Sequence, residues 1–253
     1  MEIKTILISQ ARLGSTRLPG KVLKEIKGES LLEIHLKRLK KCSAISKIIV
    51  ATTTVEADDL IYNKVKQWGY DSFRGSESDV LDRFYQSVKN EKPDWIVRVT
   101  ADCPLIDPGL VDEVVSFVQK NDKDYGSNVL IENFPDGQDI EVFKFSALEK
   151  SWKESKLLSE REHVTLYMRN NSDFNGGHLF SAINYACDSV FSNIRMTVDE
   201  KRDFDLIEML INSLGTDKSW IEYVNYIIEN DLIKVNDQII RNEGLLKSLK
   251  EDI

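Results

Sequence analysis

Cysteine is scarce in this sequence of 253 residues, and its distribution excludes two kinds of protein. The three cysteines, Cys42, Cys103 and Cys187, are far apart and show no CxxC spacing. An odd number of scattered thiols is typical of a reduced, cytoplasmic protein rather than of a disulfide-stabilised one. None of the three histidines is spaced with a cysteine as zinc ligands are, so a zinc site is not expected.

Long apolar runs and a surplus of positive charge are also missing. No run approaches the roughly 20 residues that a membrane-spanning helix needs. The segment from Met1 to Ser9 lacks the cationic start and cleavage site of a signal peptide. The formal net charge is -8, whereas binding to a phosphate backbone needs a broad basic surface. The composition therefore predicts neither a nucleic-acid partner nor a membrane partner.

Short apolar runs that alternate with amphipathic segments dominate the first half of the chain. The runs "IKTILIS", "KIIVATT" and "DWIVRVT" predict buried strands. Helices are predicted for "SLLEIHLKRLKK", "EADDLIYNKVKQWG", "VLDRFYQSVKN" and "DPGLVDEVVSFVQKN". Two of these helices have start signals, a capping box of Ser30 with Glu33 and an Asp107 N-cap followed by Pro108. The alternation predicts an α/β fold, a mostly parallel sheet with helices on both faces.

The second half is less regular. Strands are predicted for "DYGSNVLI" and "DIEVFKF", on either side of the turn "FPDG", so we expect an antiparallel excursion. "SEREHVTLYMRNN" and "DFDLIEMLINSLG" predict helices, "NIRMTVD" predicts a strand, and the tail from Ser219 onward is helical. No repeat or linker is visible. We therefore expect one domain over residues 1–253, with an inserted β element at about 125–182.

The stretch "SQARLGSTRLPGKVL" follows the first predicted strand and concentrates positive charge in an acidic chain. In a parallel α/β sheet, ligands bind beyond the carboxyl ends of the strands. Gly14 and Ser15 let backbone N–H groups approach an anion closely. The cations are Arg12, Arg17 and Lys21. Three such charges suit a triphosphate with Mg²⁺, while the alternative is a surface loop with exposed ion pairs.

Neither common nucleotide motif explains this loop. A P-loop has four residues between its glycines and Ser or Thr after its lysine. Here five residues separate Gly14 from Gly20, and Val22 follows Lys21. GxGxxG is also absent, so a Rossmann dinucleotide site is not supported.

Two acidic residues follow predicted strands in a way that suggests a shared metal ion. Asp102 comes at the carboxyl end of a strand in "RVTADCPLIDP", and Asp199 follows another in "IRMTVDEKRDFDL". Two carboxylates at one sheet edge could hold Mg²⁺ against phosphates. The alternative is that each acid caps a turn or a following helix, although Asp203 is better placed for the second cap.

Six blocks together resemble one known family. In order, from about Ile6 to Asp205, they are "QARLGSTRLPGKVL", "FRGSESDVLDRF", "RVTADCPLIDP", "FPDGQDIEVF", "REHVT" and "TVDEKRDFDL". The set is similar to the SpsF-like cytidylyltransferases, which are related to the CMP-Kdo and CMP-sialate synthetases. The resemblance implies the nucleotide-diphospho-sugar transferase (GT-A-like) fold. It also implies that the β excursion makes a homodimer and contributes to the acceptor site.

The resemblance further implies a nucleotide site. It would comprise Gln10, Ala11, Arg12, Gly14, Ser15, Arg17, Lys21, Arg74, Gly75, Ser76, Asp82, Thr100 and Ala101. By the same resemblance, Asp102 and Asp199 would bind Mg²⁺. The Kdo enzymes have Gln-Gly-Asp-Glu-Pro where this chain has "TADCP", so the metal acid is kept while the acceptor pocket is expected to differ.

The acceptor side is implied by the same blocks. Its candidates are Arg98, Asp139, Glu141, Arg161, His163 and Arg195. The two acids would bind hydroxyls, and the last three residues a carboxylate or phosphate. The alternatives are an exposed helix face for Arg161 and a packed, hydrogen-bonded ring for His163.

The expected function is Mg²⁺-dependent transfer of CMP from CTP to a sugar, by the resemblance an acid sugar, for a surface polysaccharide or glycan. Arg12, Lys21, Asp102 and Asp199 would be catalytic, by positioning and electrostatics. One alternative is a glycosyltransferase, which usually carries a D-x-D motif where "TADCP" has one acid. The other is a non-catalytic nucleotide-binding relative, which loss of Lys21 or of an acid would have favoured.

Overall fold

A seven-stranded sheet forms the centre of the computed structural model, which describes residues 3–252. The strands of the chain are β1 (Thr5–Gln10), β2 (Glu25–Ile26), β3 (Glu29–Ser30), β4 (Lys47–Thr53), β5 (Asp71–Gly75), β6 (Trp95–Thr100), β7 (Tyr125–Ser127), β8 (Glu141–Lys144) and β9 (Ala182–Asn184). The order in the large sheet is β5-β4-β1-β6-β8-β7-β9, and β2 and β3 pair as a separate hairpin. Strands β5, β4, β1 and β6 run parallel, whereas β8 is antiparallel to both β6 and β7. The predicted mixed, mostly parallel sheet with an antiparallel excursion is confirmed.

Helices cover both faces of the sheet, as predicted. They are α1 (Leu31–Leu39), α2 (Asp59–Gln67), α3 (Val80–Val88), α4 (Pro108–Lys120), α5 (Phe145–Glu154), α6 (Leu158–Glu162), α7 (Leu166–Asn170), α8 (Lys201–Leu214), α9 (Trp220–Glu229) and α10 (Glu243–Glu251). Successive side chains of β1 point to opposite faces of the sheet. Ile6 and Ile8 pack in one core with Phe84 of α3, whereas Leu7 packs in another with Val114 of α4. A third core joins α1 to α8 and α9.

The predicted helix starts are present. Ser30 Oγ accepts a hydrogen bond from the backbone N–H of Glu33 at 3.3 Å. The Asp107 carboxylate accepts from the backbone of Gly109 at 2.7 Å and of Leu110 at 3.2 Å. These caps satisfy N–H groups that the first helical turn leaves without partners.

The prediction of a strand in "NIRMTVD" is wrong. Only Arg195 forms a bridge there, with Asp136. The neighbouring chain turns at Gly137, which has a φ of 103° and lies so close that a Cβ would be 2.6 Å from Met196 C. Because a left-handed turn faces the segment where a paired strand would lie, the ladder ends after one bridge.

The helix predicted over "SEREHVTLYMRNN" is interrupted between α6 and α7. Val164 has a positive φ of 29°, and the next residue, Thr165, donates its hydroxyl to buried Glu141 on β8. A hydrogen bond to a buried carboxylate outweighs the continuation of one helix. This break turns residues 163–165 toward the site described below.

The segment between β7 and β9 contains β8 and α5 to α7, in the place of the predicted inserted element. Its role in dimerisation stays a prediction. No helix within residues 3–252 combines the length and apolarity needed to cross a bilayer.

Candidate functional site

The site lies where the carboxyl ends of β1 and β6 meet, because these parallel strands are neighbours in the sheet. Gly20 has a φ of 66°, and the chain turns there into a short 3-10 helix, residues 21–23. Lys21 is 8% exposed, and its Nζ lies 2.8 Å from Asp102 Oδ2 and 2.7 Å from Asp199 Oδ1. Three residues predicted from separate blocks are thus in direct contact.

The charges in this cluster stabilise one another. Burial lowers the pKa of Lys21, but Asp102 and Asp199 overcome this effect and raise that pKa above its ordinary value. Burial likewise works to raise the pKa of Asp102, yet the Lys21 ammonium holds it well below the usual range. The lysine is therefore cationic and Asp102 anionic at neutral pH.

The two acids fit a magnesium ion whose remaining ligands come from a bound nucleotide. Both present hard carboxylate oxygens to the same point, where the Lys21 ammonium now lies. Within residues 3–252 no group of three or more His, Cys, Asp and Glu side chains is arranged to hold a metal. Mg²⁺ is commonly bound by one or two carboxylates together with substrate phosphates, and Asp102 with Asp199 fits that pattern.

Arg17 reaches the same cluster, and Arg12 does not. Arg17 Nη2 lies 3.3 Å from Asp199 Oδ2, and its Nη1 lies 3.5 Å from Glu200 and 2.9 Å from Glu243. Arg12 instead contacts Glu77 at 3.4 Å, and both of these side chains are exposed. Arg17 therefore points toward the cluster of Lys21 with the two acids, whereas Arg12 points toward Glu77.

The rest of the loop has mainly backbone roles in the structure. Ser15 Oγ accepts from the Leu18 N–H at 3.4 Å, so its hydroxyl stabilises the loop itself. The Ala11 N–H donates to the carbonyl of Ala51, and the Ala101 N–H donates to the carbonyl of Gln10. These bonds hold the start of the loop against the ends of β4 and β6. A Cβ on Gly14 would lie 3.4 Å from Glu77.

The residues predicted to line the base and ribose have protein partners. Arg74 pairs with Asp59 at 2.5 Å and donates to two backbone carbonyls. Asp82 accepts from Trp152 Nε1 at 2.8 Å and from Gln86 at 2.9 Å. Both side chains are thus engaged in the fold, and their predicted roles toward a nucleotide stay predictions.

Gly75 and Ser76, which were also predicted to line the base and ribose, likewise contact other residues of the protein. Arg83 Cγ lies 2.9 Å from the position of a Cβ on Gly75, so a larger residue would displace the arginine. Ser76 Oγ accepts from the Asp79 N–H at 3.0 Å and caps the loop before α3. This segment is rigidly held next to the loop after β1.

A cavity of about 280 Å³ opens beside Asp102 and Asp199. Nine predicted site residues line it, Arg17, Arg98, Thr100, Asp102, Asp139, Glu141, His163, Arg195 and Asp199. Arg161 does not. Its guanidinium instead binds Asp79, the N-cap of α3, through Nε at 3.0 Å and Nη2 at 2.5 Å. The structure therefore places Arg161 in the support of a helix, away from the cavity wall.

Glu141 is a buried acid of the cavity wall with three hydrogen-bond donors. It is 5% exposed and accepts from Arg98, from the Tyr125 hydroxyl at 2.7 Å and from Thr165. Burial works to raise the pKa of Glu141, but Arg98 and Arg169 lower it below its ordinary value. An ionised carboxylate with three donors fixes the wall around it.

Arg195 also acts as a support. Its guanidinium contacts Asp136, Asp199 at 2.6 Å and Asp203 at 2.9 Å. Burial alone would lower the pKa of Arg195, but the three carboxylates outweigh this effect and raise the pKa above its ordinary value. Arg195 therefore orients Asp199, and its nitrogens are already used.

The pKa of His163 is lowered and the pKa of Asp139 is raised. Burial lowers the pKa of His163, whose Nε2 lies 3.1 Å from Ser248 Oγ. Burial raises the pKa of Asp139 to about 7, even though Arg241 donates to its carboxylate at 2.9 Å. His163 is a hydrogen-bonded, packed ring, in agreement with the second interpretation of its sequence position.

His35, which no sequence signal selected, connects the two strands that build the site. It is fully buried and lies on α1 between β1 and the residues after β6. Its Nδ1 is 2.8 Å from the carbonyl of Cys103, and its Nε2 is 2.9 Å from Ser9 Oγ. A carbonyl only accepts, so Nδ1 carries the proton and Nε2 accepts from the serine. Burial lowers the pKa of His35 to about 4, so the ring is neutral at pH 7.

Several residues that line the cavity were not predicted from the sequence. They are Glu132, Asp136, Thr165, Arg169, Asn242 and Glu243. Thr165 and Asp136 lie inside quoted blocks, and Arg169 follows Thr165 by four residues, a spacing that could have indicated it. No local signal could have found Asn242 or Glu243, because their partners are distant in sequence. Arg169 lines the cavity and makes no ion pair with any residue of 3–252.

The chain matches a protein family and is similar to several proteins of known sequence or structure. The sequence profile of the family described as cytidylyltransferase matches residues 6–235. An uncharacterized protein of Methanocaldococcus jannaschii is 43% identical over 206 residues, which cover 81% of this chain and 82% of that protein. The spore coat polysaccharide biosynthesis protein SpsF of Bacillus subtilis is 33% identical over 226 residues, with coverages of 83% and 87%. A solved cytidylyltransferase structure from Leptospira borgpetersenii has a TM-score of 0.87 and 32% identity, covering 95% of this chain and 100% of that one.

Proposed function

Because the chain belongs to the cytidylyltransferase family, we propose that it transfers CMP from CTP to a sugar hydroxyl and releases pyrophosphate. The acceptor oxygen forms a bond to the α-phosphorus, its hydroxyl proton passes to solvent, and the bond from that phosphorus to the bridging oxygen of pyrophosphate breaks. The observation that carries this proposal is the contact of Lys21 with both Asp102 and Asp199 at the end of the sheet.

The loop after β1 binds the triphosphate. Lys21 and Arg17 present cations at the cluster, where they would neutralise the charge that develops on the departing pyrophosphate. Arg12 lies on the other side of the loop and extends the positive surface toward Glu77. The backbone around Gly14 and Ser15 adds N–H groups.

Asp102 and Asp199 would hold Mg²⁺, which when bound supplies charge neutralisation at the α-phosphate. Arg195 keeps Asp199 in place through its 2.6 Å contact. Cys103 takes the position of the glutamate in the Kdo enzymes, and burial raises the pKa of its thiol well above the ordinary value. The thiol is therefore neutral at pH 7, and Cys103 does not act as a nucleophile.

The acceptor is an acid sugar that occupies the cavity beside these acids. Asp139 offers a carboxylate to its hydroxyl groups. Arg161 and Arg195, two of the cations expected to bind its acidic group, are committed to Asp79 and to three carboxylates. Arg169 lines the cavity, makes no ion pair within residues 3–252 and takes that role, since a guanidinium binds a carboxylate through two parallel hydrogen bonds.

Thermal unfolding with nucleotides tests the base and the metal. CTP, UTP, ATP and GTP are compared with and without Mg²⁺. A ligand at ~100 times its Kd stabilises the folded state by about 2.7 kcal/mol, which raises Tm measurably. We expect the largest rise for CTP with Mg²⁺. A rise for a different nucleotide alone would contradict the assignment of the base.

Turnover tests the reaction itself. Pyrophosphate release is followed with CTP, Mg²⁺ and a panel of acidic and neutral sugars. Asp102→Asn should reduce release about 100-fold or more while the circular dichroism spectrum stays unchanged. Asp188→Asn is the matched control, because Asp188 is exposed and distant in sequence from the loop after β1. Equal rates for Asp102→Asn and wild type would refute the role of that acid.

A further inference from the structure

Residues 236–252, called the C-terminal arm below, lie beyond the residues 6–235 that the family profile matches. The arm nevertheless forms part of the catalytic cavity. Its cavity-lining residues are Ile240, Asn242, Glu243, Gly244 and Leu245. One wall of the site is therefore built from a segment that the family profile does not include.

The arm is attached at both ends. At its start, Asn236 is 2% exposed and donates to Asp203 Oδ1 at 2.8 Å. Near its end, Ser248 Oγ lies 2.6 Å from Glu162 and 3.1 Å from His163 Nε2. These contacts hold the arm across the acceptor side of the cavity.

The middle of the arm makes polar contacts with the two sides of the site. Arg241 Nη2 donates to Asp139 at 2.9 Å, on the acceptor side. Asn242 donates to Glu132 at 2.8 Å. Glu243 pairs with Arg17 at 2.9 Å, on the side of the loop after β1. Neighbouring arm residues thus contact the acceptor side and the phosphate-binding side.

The pair of Glu243 with Arg17 competes with a triphosphate. Both the carboxylate and the phosphate would use the same guanidinium, and the two anions repel each other. The Glu243 side chain is 57% exposed and that of Arg17 is 34% exposed. Ion pairs this exposed contribute little free energy, so a more highly charged ligand replaces them readily.

We propose that the C-terminal arm is a nucleotide-released wall of the acceptor pocket: the triphosphate takes Arg17 from Glu243, repulsion between the phosphates and the Glu243 carboxylate loosens the arm, and the acceptor then binds. The proposal rests on the proposed function, because it takes CTP as the ligand of Arg17. It assigns acceptor selection to Arg241, Asn242 and Leu245, which line or brace the same wall. It also predicts an order of binding, with nucleotide before acceptor.

Hydrogen exchange of the full chain tests the release, with CTP, CMP and inorganic pyrophosphate as probes, each with Mg²⁺. CTP and pyrophosphate should raise amide exchange in peptides over residues 240–248. CMP lacks the β- and γ-phosphates and should leave exchange there unchanged. Protection of these peptides by CTP, or an equal response to CMP, would overturn the proposal.

A charge-neutral variant tests the competing contact. Glu243→Gln should tighten CTP binding, measured by calorimetry, about threefold, and CTP should no longer raise arm exchange in this variant. Glu251→Gln removes the same charge from an exposed position of α10 and should behave as wild type. Wild-type affinity and exchange in Glu243→Gln would refute the release while leaving CTP binding intact. Failure of the wild-type protein to bind CTP would refute the proposed function and the release together.

Discussion

Lys21 Nζ lies 2.7 Å from Asp199 Oδ1, although 178 residues separate the two in the chain. The same ammonium lies 2.8 Å from Asp102. One cation thus joins the loop after β1 to acids from two other segments, and much of the site depends on it.

Replacing Lys21 with methionine should affect both stability and turnover. The substitution leaves two carboxylates, each with a side chain 25% exposed, without their shared cation. Breaking a fully buried pair costs about 3–5 kcal/mol, and we expect about 1–3 kcal/mol here because water reaches both acids. Urea unfolding measures the loss, and pyrophosphate release should fall by at least about 100-fold.

The control for that substitution is Lys40→Met, at an exposed position after α1. It removes the same charge and should change neither unfolding nor turnover. If Lys21→Met kept wild-type turnover, the loop would not be the phosphate-binding element.

Stability should decrease in weak acid because of His35. Burial lowers the pKa of His35 to about 4, below the ordinary value of 6.5. Between these values the unfolded chain binds the proton and the folded chain does not. The free energy of unfolding therefore falls as the pH drops from about 6.5 to about 4, by up to about 3 kcal/mol.

Urea unfolding at pH 7 and at pH 4.5 measures this fall. His35→Gln should lower stability at pH 7 and reduce the difference between the two pH values. His178→Gln, at an exposed position, should leave the difference unchanged. A difference of the same size in His35→Gln would assign the effect to other groups.

Asp139 should titrate near neutrality. Burial raises its pKa to about 7, Arg241 opposes this rise, and the nearby Asp136 and Glu141 charges add to it. A carbonyl-¹³C NMR titration should show a carboxyl resonance with that midpoint, absent from Asp139→Asn. Arg241→Gln should move the midpoint to higher pH, because it removes the opposing cation. A midpoint near 4 in the wild-type protein would contradict the raised pKa of this acid.

Arg161 and Arg169 should separate stability from acceptor binding. Arg161→Ala removes the pair with Asp79 at α3 and should cost about 1–2 kcal/mol, with little change in the KM for the acceptor. Arg169→Ala should instead raise that KM about tenfold or more, since it removes the cation proposed to bind the acidic group. The two variants delete the same side chain and serve as controls for each other. The reverse pattern would restore Arg161 to the acceptor site.

Much of the fold could be predicted because its central strands leave a strong signal. β1, β4 and β6 are continuous apolar runs, as strands buried on both faces must be. β5 lies at the edge of the sheet, is half-buried and was missed, because "DSFRG" has no apolar run. The strand expected around Arg195 was wrong for a tertiary reason, the close approach of Gly137, which no local pattern indicates.

Part of the site could likewise be predicted from the sequence, and part could not. The loop after β1 and the two acids could be predicted, because each follows a recognisable strand or lies in a quoted block. The arm could not, because Glu243 and Arg17 are 226 residues apart and neither has a local pattern that indicates the other. The partner of Arg161 could not be predicted either, since a basic residue in a quoted block says nothing about the acid that it pairs with in the fold.

The neutral ring of His35 has a mechanical consequence. It braces Ser9 on β1 against Cys103, next to Asp102, and so sets the spacing between the strand that carries the loop and the acid after β6. The proposed triphosphate would bring several negative charges close to this space. A neutral ring has no net charge for the phosphates to attract, whereas a protonated ring would be drawn toward them. We therefore expect the gap between the loop and Asp102 to keep its width when a triphosphate binds.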